Sequence, residues 1–493
     1  MLKKGLLVAL LIFLCGFLTY KNRQPIINFA NTQLINLKSP KPSTRQHFNL
    51  SQTLRADFIE LLKNREYNEL NKRIEDILAH YDKKKIEEHE LSFVFDVFSV
   101  IDPTLEPLLT EWISVSESWY SKLITARYLD EISWEWRGGT FGYLVPDENF
   151  AKFRDIQNKA KQLHSNAKQD NQYDFLWHAD RISYANQSSD PLEKQYIDEA
   201  FAEFPKSTTI YHDVIHAQQP RWGGDAYYRQ ELIYELVEII EGQNKRPSGT
   251  LYFYEAVDEF KSEDYLAAAN LMEKAIELNP NRLHYYSSLA RYYAKINRNE
   301  EAIALLNTAL ANTQHGTIPL RQRASVYTNL KKLELAQRDI ESFLEYHPYD
   351  RTANIIAIKI YSLQKNREAV LKAIEKASYF TEHDPRQWVK LAYYPHHTLK
   401  DTQLAEQLYK KAITINKFHV GANYSLATLY NKQYNCEFVN NFYHYLKGCD
   451  IGVGNTKKWC QSKNKNWVHA SINILKKGQQ CSEINDYDFS SFQ

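Results

Sequence analysis

The sequence predicts an all-α protein built around a helical-repeat superhelix, an α-solenoid preceded by an irregular helical module, and three observations carry that prediction. Ala256, Ala290 and Ala324 recur at an interval of 34 residues, as do Ala268, Ala302 and Ala336, and as do Tyr293, Tyr327 and Tyr361. Pro280 and Pro348 lie two such intervals apart, each closing a phrase that opens on the small residue. Glycine and proline, at 15 each in 493 residues, are too scarce for a large β-architecture with its many tight turns. An interval of 34 is the length of one helix–turn–helix unit in a stacked array. Small residues are required where two helices cross closely, large ones where they fill the gap to the next unit, and proline where a helix must stop.

Tyr286-x2-Leu289-Ala290-x2-Tyr293, followed by Ala302-x3-Leu306-x2-Ala309, is the clearest copy. On these residues the chain resembles the tetratricopeptide repeat (TPR) family. The resemblance implies a stack of paired helices used as a surface for another protein. In that register the units run 249–282, 283–316, 317–350, 351–384, 386–419 and 420–450, within an array spanning 249–435. The fifth unit, with Trp388, Leu391, Ala405 and Ala412, is offset by one residue. First-helix side chains are expected on a concave face, and Arg291 and Arg321 are the candidates there to grip a carboxylate with paired hydrogen bonds.

Ahead of the array, the chain opens Met1-Leu2-Lys3-Lys4 and runs apolar from Gly5 to about Leu18 before Lys21-Asn22-Arg23. A charged start followed by an apolar run is the layout of an export signal, so residues 1–20 are read as a signal anchor or signal peptide, contacting an inner membrane through 5–20. Residues 21–50, polar and holding Pro25, Pro40 and Pro42, read as a flexible linker. The cysteines point to the same compartment. Apart from Cys15 there are four, Cys436, Cys449, Cys460 and Cys481, an even set confined to residues 436–493. They are read as two disulfides stapling a C-terminal cap, with three connectivities open. Zinc sites favour close CxxC pairs, which the set lacks. The expected location is a bacterial inner membrane, single-pass, with the bulk of the chain in the periplasm.

Residues 51–243 read as an irregular α-helical module of amphipathic runs, such as Leu70, Ile74, Ile77 and Leu78 on one face. Two Arg/Trp/Gly clusters stand out in a glycine-poor chain: Trp136-Arg137-Gly138-Gly139 and Arg221-Trp222-Gly223-Gly224. On these clusters the module resembles an uncharacterised bacterial family found beside TPR segments, in which an Arg-Trp-Gly-Gly turn follows a helical stretch. That family brings no known activity. Tryptophan packing and glycine turns account for such clusters structurally; a partner surface at Trp136, Arg137, Arg221 and Trp222 is the functional reading.

Chemistry is thinly signalled. Lys and Arg total 61 against 60 Asp and Glu, which leaves no global field to draw nucleic acid. No nucleophile elbow, phosphate loop or dinucleotide fingerprint is present, and no cofactor is implied. His212-Asp213-x2-His216 is the one metal-like spacing, since helical i, i+4 histidines point the same way, but no third ligand follows from spacing. The sequence therefore supports a membrane-anchored periplasmic scaffold or adaptor for another protein of the envelope. The alternatives are an immunity-type protein that neutralises an exported toxin, and a metal-dependent hydrolase using His212 and His216.

Overall fold

A computed structural model of the chain describes residues 52–451 apart from the short segments 139–144, 243–247, 281, 313–316 and 431–435. The described residues form 22 α-helices and no strand. The apolar run 5–20, the linker, and Cys460 and Cys481 lie outside them. None of the described helices is long and apolar enough to cross a membrane.

The helices are α1 (Gln52–Lys63), α2 (Tyr67–Asp82), α3 (Glu88–Phe95), α4 (Glu106–Ser116), α5 (Trp119–Arg137), α6 (Asp147–Ser165), α7 (Asp174–Ser188), α8 (Glu193–Glu203) and α9 (Thr208–Ala217). They continue as α10 (Ala226–Glu241), α11 (Gly249–Lys261), α12 (Tyr265–Leu278), α13 (Leu283–Lys295), α14 (Asn299–Asn312), α15 (Thr317–Asn329) and α16 (Leu333–Leu344). The last six are α17 (Arg351–Leu363), α18 (Arg367–Ser378), α19 (Pro385–Tyr394), α20 (Thr402–Ile415), α21 (Val420–Tyr430) and α22 (Cys436–Ile451). Two compact units result. One comprises Val214–Gln322; the other joins Gln52–Asp213 to Arg323 and beyond.

From α11 onward the helices pair, and the first helices of successive pairs start at 249, 283, 317, 351, 385 and 420, steps of 34, 34, 34, 34 and 35. Inside the first four pairs the turn is built alike. Glu263, Asn297, Lys331 and Lys365, again 34 apart, have φ of 66, 62, 58 and 61°. The next residue donates its backbone N–H five residues back: Asp264 to Glu259, Arg298 to Tyr293, Lys332 to Tyr327 and Asn366 to Tyr361, at 2.9–3.0 Å. This is a left-handed helix stop that satisfies an orphan carbonyl of the first helix. Asp264 and Asn366 then cap the second helix by accepting from the N–H three residues on. The fifth pair explains its extra residue. There Pro395–Leu399 winds as a π-turn, and Lys400, with φ 65°, takes the left-handed place one position late. His396 and His397 sit in that turn with their rings stacked, centroids 4.2 Å apart.

The alanines of the 34-residue series are 0–1% exposed, which is the close helix crossing that their size predicts. Between pairs, a side chain six residues into the phrase reaches back to the turn. Tyr286 Oη donates to the Pro280 carbonyl at 3.0 Å, Asn354 Nδ2 to Pro348 at 3.0 Å, and Trp388 Nε1 to Glu382 at 3.2 Å. At the end of the array Gly448 is required: a Cβ there would lie 2.2 Å from the Phe418 carbonyl oxygen, so only glycine lets α22 approach the turn before α21.

In the larger unit the N-terminal module is itself made of hairpins. Arg65, between α1 and α2, and Ser189, between α7 and α8, have φ of 59 and 51°. Each is followed by the same five-residue return bond, Glu66 to Leu61 and Asp190 to Ala185, at 2.9 Å. Trp112, Phe95, Phe98 and Tyr128 fill its centre at 0% exposure.

Candidate functional site

The larger unit holds a pocket of about 610 Å³ whose walls come from α1, α3, α5, α7 and α9. Four of these helices supply a stripe at i, i+3, i+4 spacing, polar except for one phenylalanine, the geometry that puts three side chains on one face. The stripes are His89, Ser92, Phe93 on α3, continued by Asp96 just past its end; Arg127, Asp130, Glu131 on α5; Asp180, Ser183, Tyr184 on α7; and Thr209, His212, Asp213 on α9. Arg55 enters from α1.

Both arginines are engaged by the walls. Arg55 donates through Nε to the Val97 carbonyl at 3.0 Å and through Nη2 to the Asp96 carbonyl at 3.1 Å. Arg127 donates through Nε to Asp180 Oδ2 at 2.9 Å, and through Nη1 to Asp96 Oδ1 at 3.1 Å and the Ser92 carbonyl at 3.2 Å. One cation thus serves two carboxylates. Enclosure opposes the charge on Arg127, but Asp180 and Asp96 more than offset it and its pKa is raised. Each carboxylate has only a share of that cation, so enclosure dominates and both Asp96 and Asp180 titrate above the usual range.

Three acids remain. Asp130 accepts from Gln157 and, at 3.4 Å, from Gln187; enclosure pushes it up to about 6 against those bonds. Glu131 is pushed up to about 7 by enclosure together with Glu135 and Asp130. Asp213 also rises to about 7, through enclosure and the Asp180 charge, with Arg127 pulling the other way. Neither Glu131 nor Asp213 forms an ion pair among the described residues, although Arg55 acts on Glu131 and Arg127 on Asp213 at longer range. Glu131 is open to the water of the pocket while protein surrounds it. Tyr184 is 5% exposed, and its hydroxyl has no hydrogen-bond partner among the described residues.

The residues singled out from sequence are distributed as follows. Trp136 packs edge-on against Phe380 with centroids 5.3 Å apart, carries the Lys152 ammonium over its ring at 3.8 Å, and accepts at its carbonyl from Asn149 at 2.7 Å. Arg137 lies over the Trp134 ring at 5.0 Å, and burial lowers its pKa. Gly138 ends α5 at φ 70°, and Arg351 lies against it while pairing with Glu135 at 3.7 Å. This first cluster is held inside the larger unit. The second belongs to the smaller one. Arg221 and Trp222 form a 3-10 turn, Pro220–Trp222, closed by Gly223 at φ 87°, and Trp222 is 43% exposed. Arg291 is exposed with its guanidinium 4.6 Å from the Phe260 ring, and Arg321 is half-buried on α15. His212 lines the pocket; His216 does not. Among the described residues no three His, Cys, Asp or Glu side chains converge as metal ligands. Cys436 and Cys449 stand thirteen residues apart on α22 (449 − 436). The pocket itself was not anticipated, although His212-Asp213 belongs to it; the signal was the repeated polar i, i+3, i+4 stripe.

Residues 259–318 match the family model described as tetratricopeptide repeat. No protein with a curated description matches the chain. Among solved structures, the chain is similar to TTC0263, a thermophilic TPR protein in Thermus thermophilus, at 19% identity over 37% of this chain and 98% of that one, with a TM-score of 0.31. It is similar to yeast Tom70 at 13% identity over 88% and 97%, with a TM-score of 0.38. It is also similar to YrrB, a TPR protein with an unusual peptide-binding site, at 16% identity over 35% and 89%, with a TM-score of 0.28. The described residues form an all-α helical repeat, and the match to the tetratricopeptide repeat lies within it at residues 259–318.

Proposed function

We propose that this chain is a membrane-anchored periplasmic scaffold that binds another protein of the cell envelope and makes or breaks no bond. The observation that carries the reading is the 34-residue register of hairpins, matched over 259–318 to repeats whose usual work is protein contact. In support, the smaller unit presents large exposed rings around one turn: Trp222, then Tyr227 at 78% and Tyr234 at 40%, seven residues apart on α10. Rigid rings with polar tips are the side chains most used as interface anchors. The Arg221-Trp222-Gly223-Gly224 turn suits such presentation, because Gly224 has the Gln218 backbone 2.3 Å from where a Cβ would be. Kinship of residues 51–243 with the uncharacterised Arg-Trp-Gly-Gly family is part of the same proposal.

The compartment rests on the apolar run 5–20 after Lys3 and Lys4, and on the even set of four C-terminal cysteines. Cys436 and Cys449, which are half-cystines, support it further. The test is recovery of a partner from envelope extract on the full chain, repeated with Arg221→Ala and Trp222→Ala. Loss of the same partner from both variants, each still helical by circular dichroism, is expected. Undiminished recovery removes this turn as the binding surface, and recovery of nothing from the extract removes the scaffold reading.

A further inference from the structure

The pocket in the larger unit holds five carboxyls, Asp96, Asp130, Glu131, Asp180 and Asp213, against two guanidiniums, an excess of three acids over bases (5 − 2) with the histidines neutral. A structural charge cluster would be expected to close on itself, because an unpaired acid in an enclosed site costs desolvation without return. This one closes only around Arg127. Glu131 and Asp213 face the cavity of about 610 Å³ without an ion pair among the described residues, each reached only at longer range by an arginine that is already engaged, Arg55 for Glu131 and Arg127 for Asp213. Independently, the Tyr184 hydroxyl, in the same pocket lining, is buried with no hydrogen-bond partner among the described residues. A buried hydroxyl without a hydrogen bond is rare in a closed structure and points to a missing polar group.

We propose that this pocket is a receptor for an organic cation, an alkylammonium or guanidinium group, held by Glu131 and Asp213 beside the Tyr184 hydroxyl. The charge excess selects a cation, since an anion would meet a negative wall whose two arginines are already engaged. The absence of three converging ligands among the described residues favours an organic cation over a metal ion. An ammonium donates three hydrogen bonds and a guanidinium five, enough to serve carboxylates on α5 and α9 together. The same chemistry is offered by a free amine and by a lysine or arginine side chain of a polypeptide. The proposal does not depend on the scaffold reading, because its ligand can be a small molecule.

Calorimetric titration of the full chain with cadaverine, with Nα-acetyl-lysine methylamide and with its uncharged norleucine counterpart tests the proposal. Saturable binding of a cation and none of the neutral control is expected. Asp213→Asn and Glu131→Gln should each weaken it by about thirtyfold or more, as loss of one partner of an enclosed charge pair does. Tyr184→Phe should weaken it by a smaller factor. These changes remove charge or one oxygen without changing size, and circular dichroism confirms each variant folded. Binding of cadaverine alone assigns the site to free amines; binding of the blocked lysine assigns it to a polypeptide side chain. The proposal is overturned if neither cation binds at concentrations up to about 10 mM, if the neutral probe binds equally, or if the Glu131→Gln/Asp213→Asn double variant binds as the parent does. Partner recovery through Trp222 is read separately, so either result stands without the other.

Discussion

The Tyr361 hydroxyl donates to Glu341 Oε1 at 2.9 Å, twenty residues back along the chain. Two repeat lengths earlier, Tyr293 makes the same bond to Glu273 at 2.5 Å, again across twenty residues. Each bond ties the first helix of one hairpin to the second helix of the hairpin before it. Tyr293 and Tyr361, two of the three tyrosines that mark the repeat, are therefore fasteners between hairpins as well as core rings. Tyr361→Phe keeps the ring and loses the bond, and it should cost about 1 kcal/mol. Glu341→Gln should cost less than that, and the double variant no more than Tyr361→Phe alone. Denaturant melts around that cycle check the coupling.

Lys331 occupies a left-handed turn, at φ 58°, that has no side-chain requirement. Its N–H goes back to the Thr328 carbonyl at 3.2 Å, a bond any residue can make. Lys331→Gly should relieve the Cβ crowding of that conformation and stabilise the chain by about 0.5–1 kcal/mol, less what glycine gives back to the unfolded ensemble. Lys331→Ala, which keeps the Cβ, should show no gain. Urea titration of both separates backbone strain from loss of the lysine.

Asp213 gives stability a pH dependence whose sign is fixed by its raised pKa. Its folded-state value, about 7, lies above the ordinary aspartate value, so between roughly pH 4 and 7 the folded chain binds more protons at this site than the unfolded chain. Stability from this group is then present at low pH and is lost as pH rises to 7. Glu131, also about 7, acts in the same direction. Asp213→Asn removes the penalty, and should raise Tm at pH 8 by on the order of 2 °C while changing it little at pH 5. Melting curves at the two pH values check this; equal shifts at both would leave the titration without a role.

Cys436 and Cys449 cannot join one another. Thirteen residues along a continuous helix separate them by roughly 20 Å, and a disulfide needs its Cα atoms within about 7 Å. Of the three connectivities open to four cysteines, two remain: 436–460 with 449–481, or 436–481 with 449–460. Peptide mapping of unreduced protein should find one of them and no fragment linking Cys436 to Cys449.

The repeat was legible because a close helix crossing admits almost nothing larger than alanine, so Ala256, Ala290 and Ala324 leave a mark in a single sequence. Its turns were not. Left-handed turn positions usually announce themselves as glycine, and here they carry Glu263, Asn297, Lys331 and Lys365, whose strain of about 1 kcal/mol is outweighed by packing on either side. The pocket was hidden for a different reason. A stripe such as Arg127, Asp130, Glu131 reads like any solvated helix face, and only the packing of four such helices turns their polar sides toward one another. His212 drew notice through its spacing to His216, whereas its structural company is Thr209 and Asp213.

The two tryptophan clusters, alike in sequence, should separate in the same experiment. Trp136 is clamped by Phe380, Lys152 and Asn149, so Trp136→Ala leaves a gap between α5 and the turn after α18 and should cost about 3 kcal/mol. Trp222 is 43% exposed, and Trp222→Ala should change stability by no more than about 0.5 kcal/mol. Partner recovery should follow the opposite order once only folded protein is compared: retained by Trp136→Ala below its melting temperature, lost from Trp222→Ala. Thermal melts and recovery measured on the same preparations distinguish a residue that holds the chain together from one that meets another protein. If Trp136→Ala lost the partner while remaining folded, the first cluster would have to be counted as part of the binding surface after all.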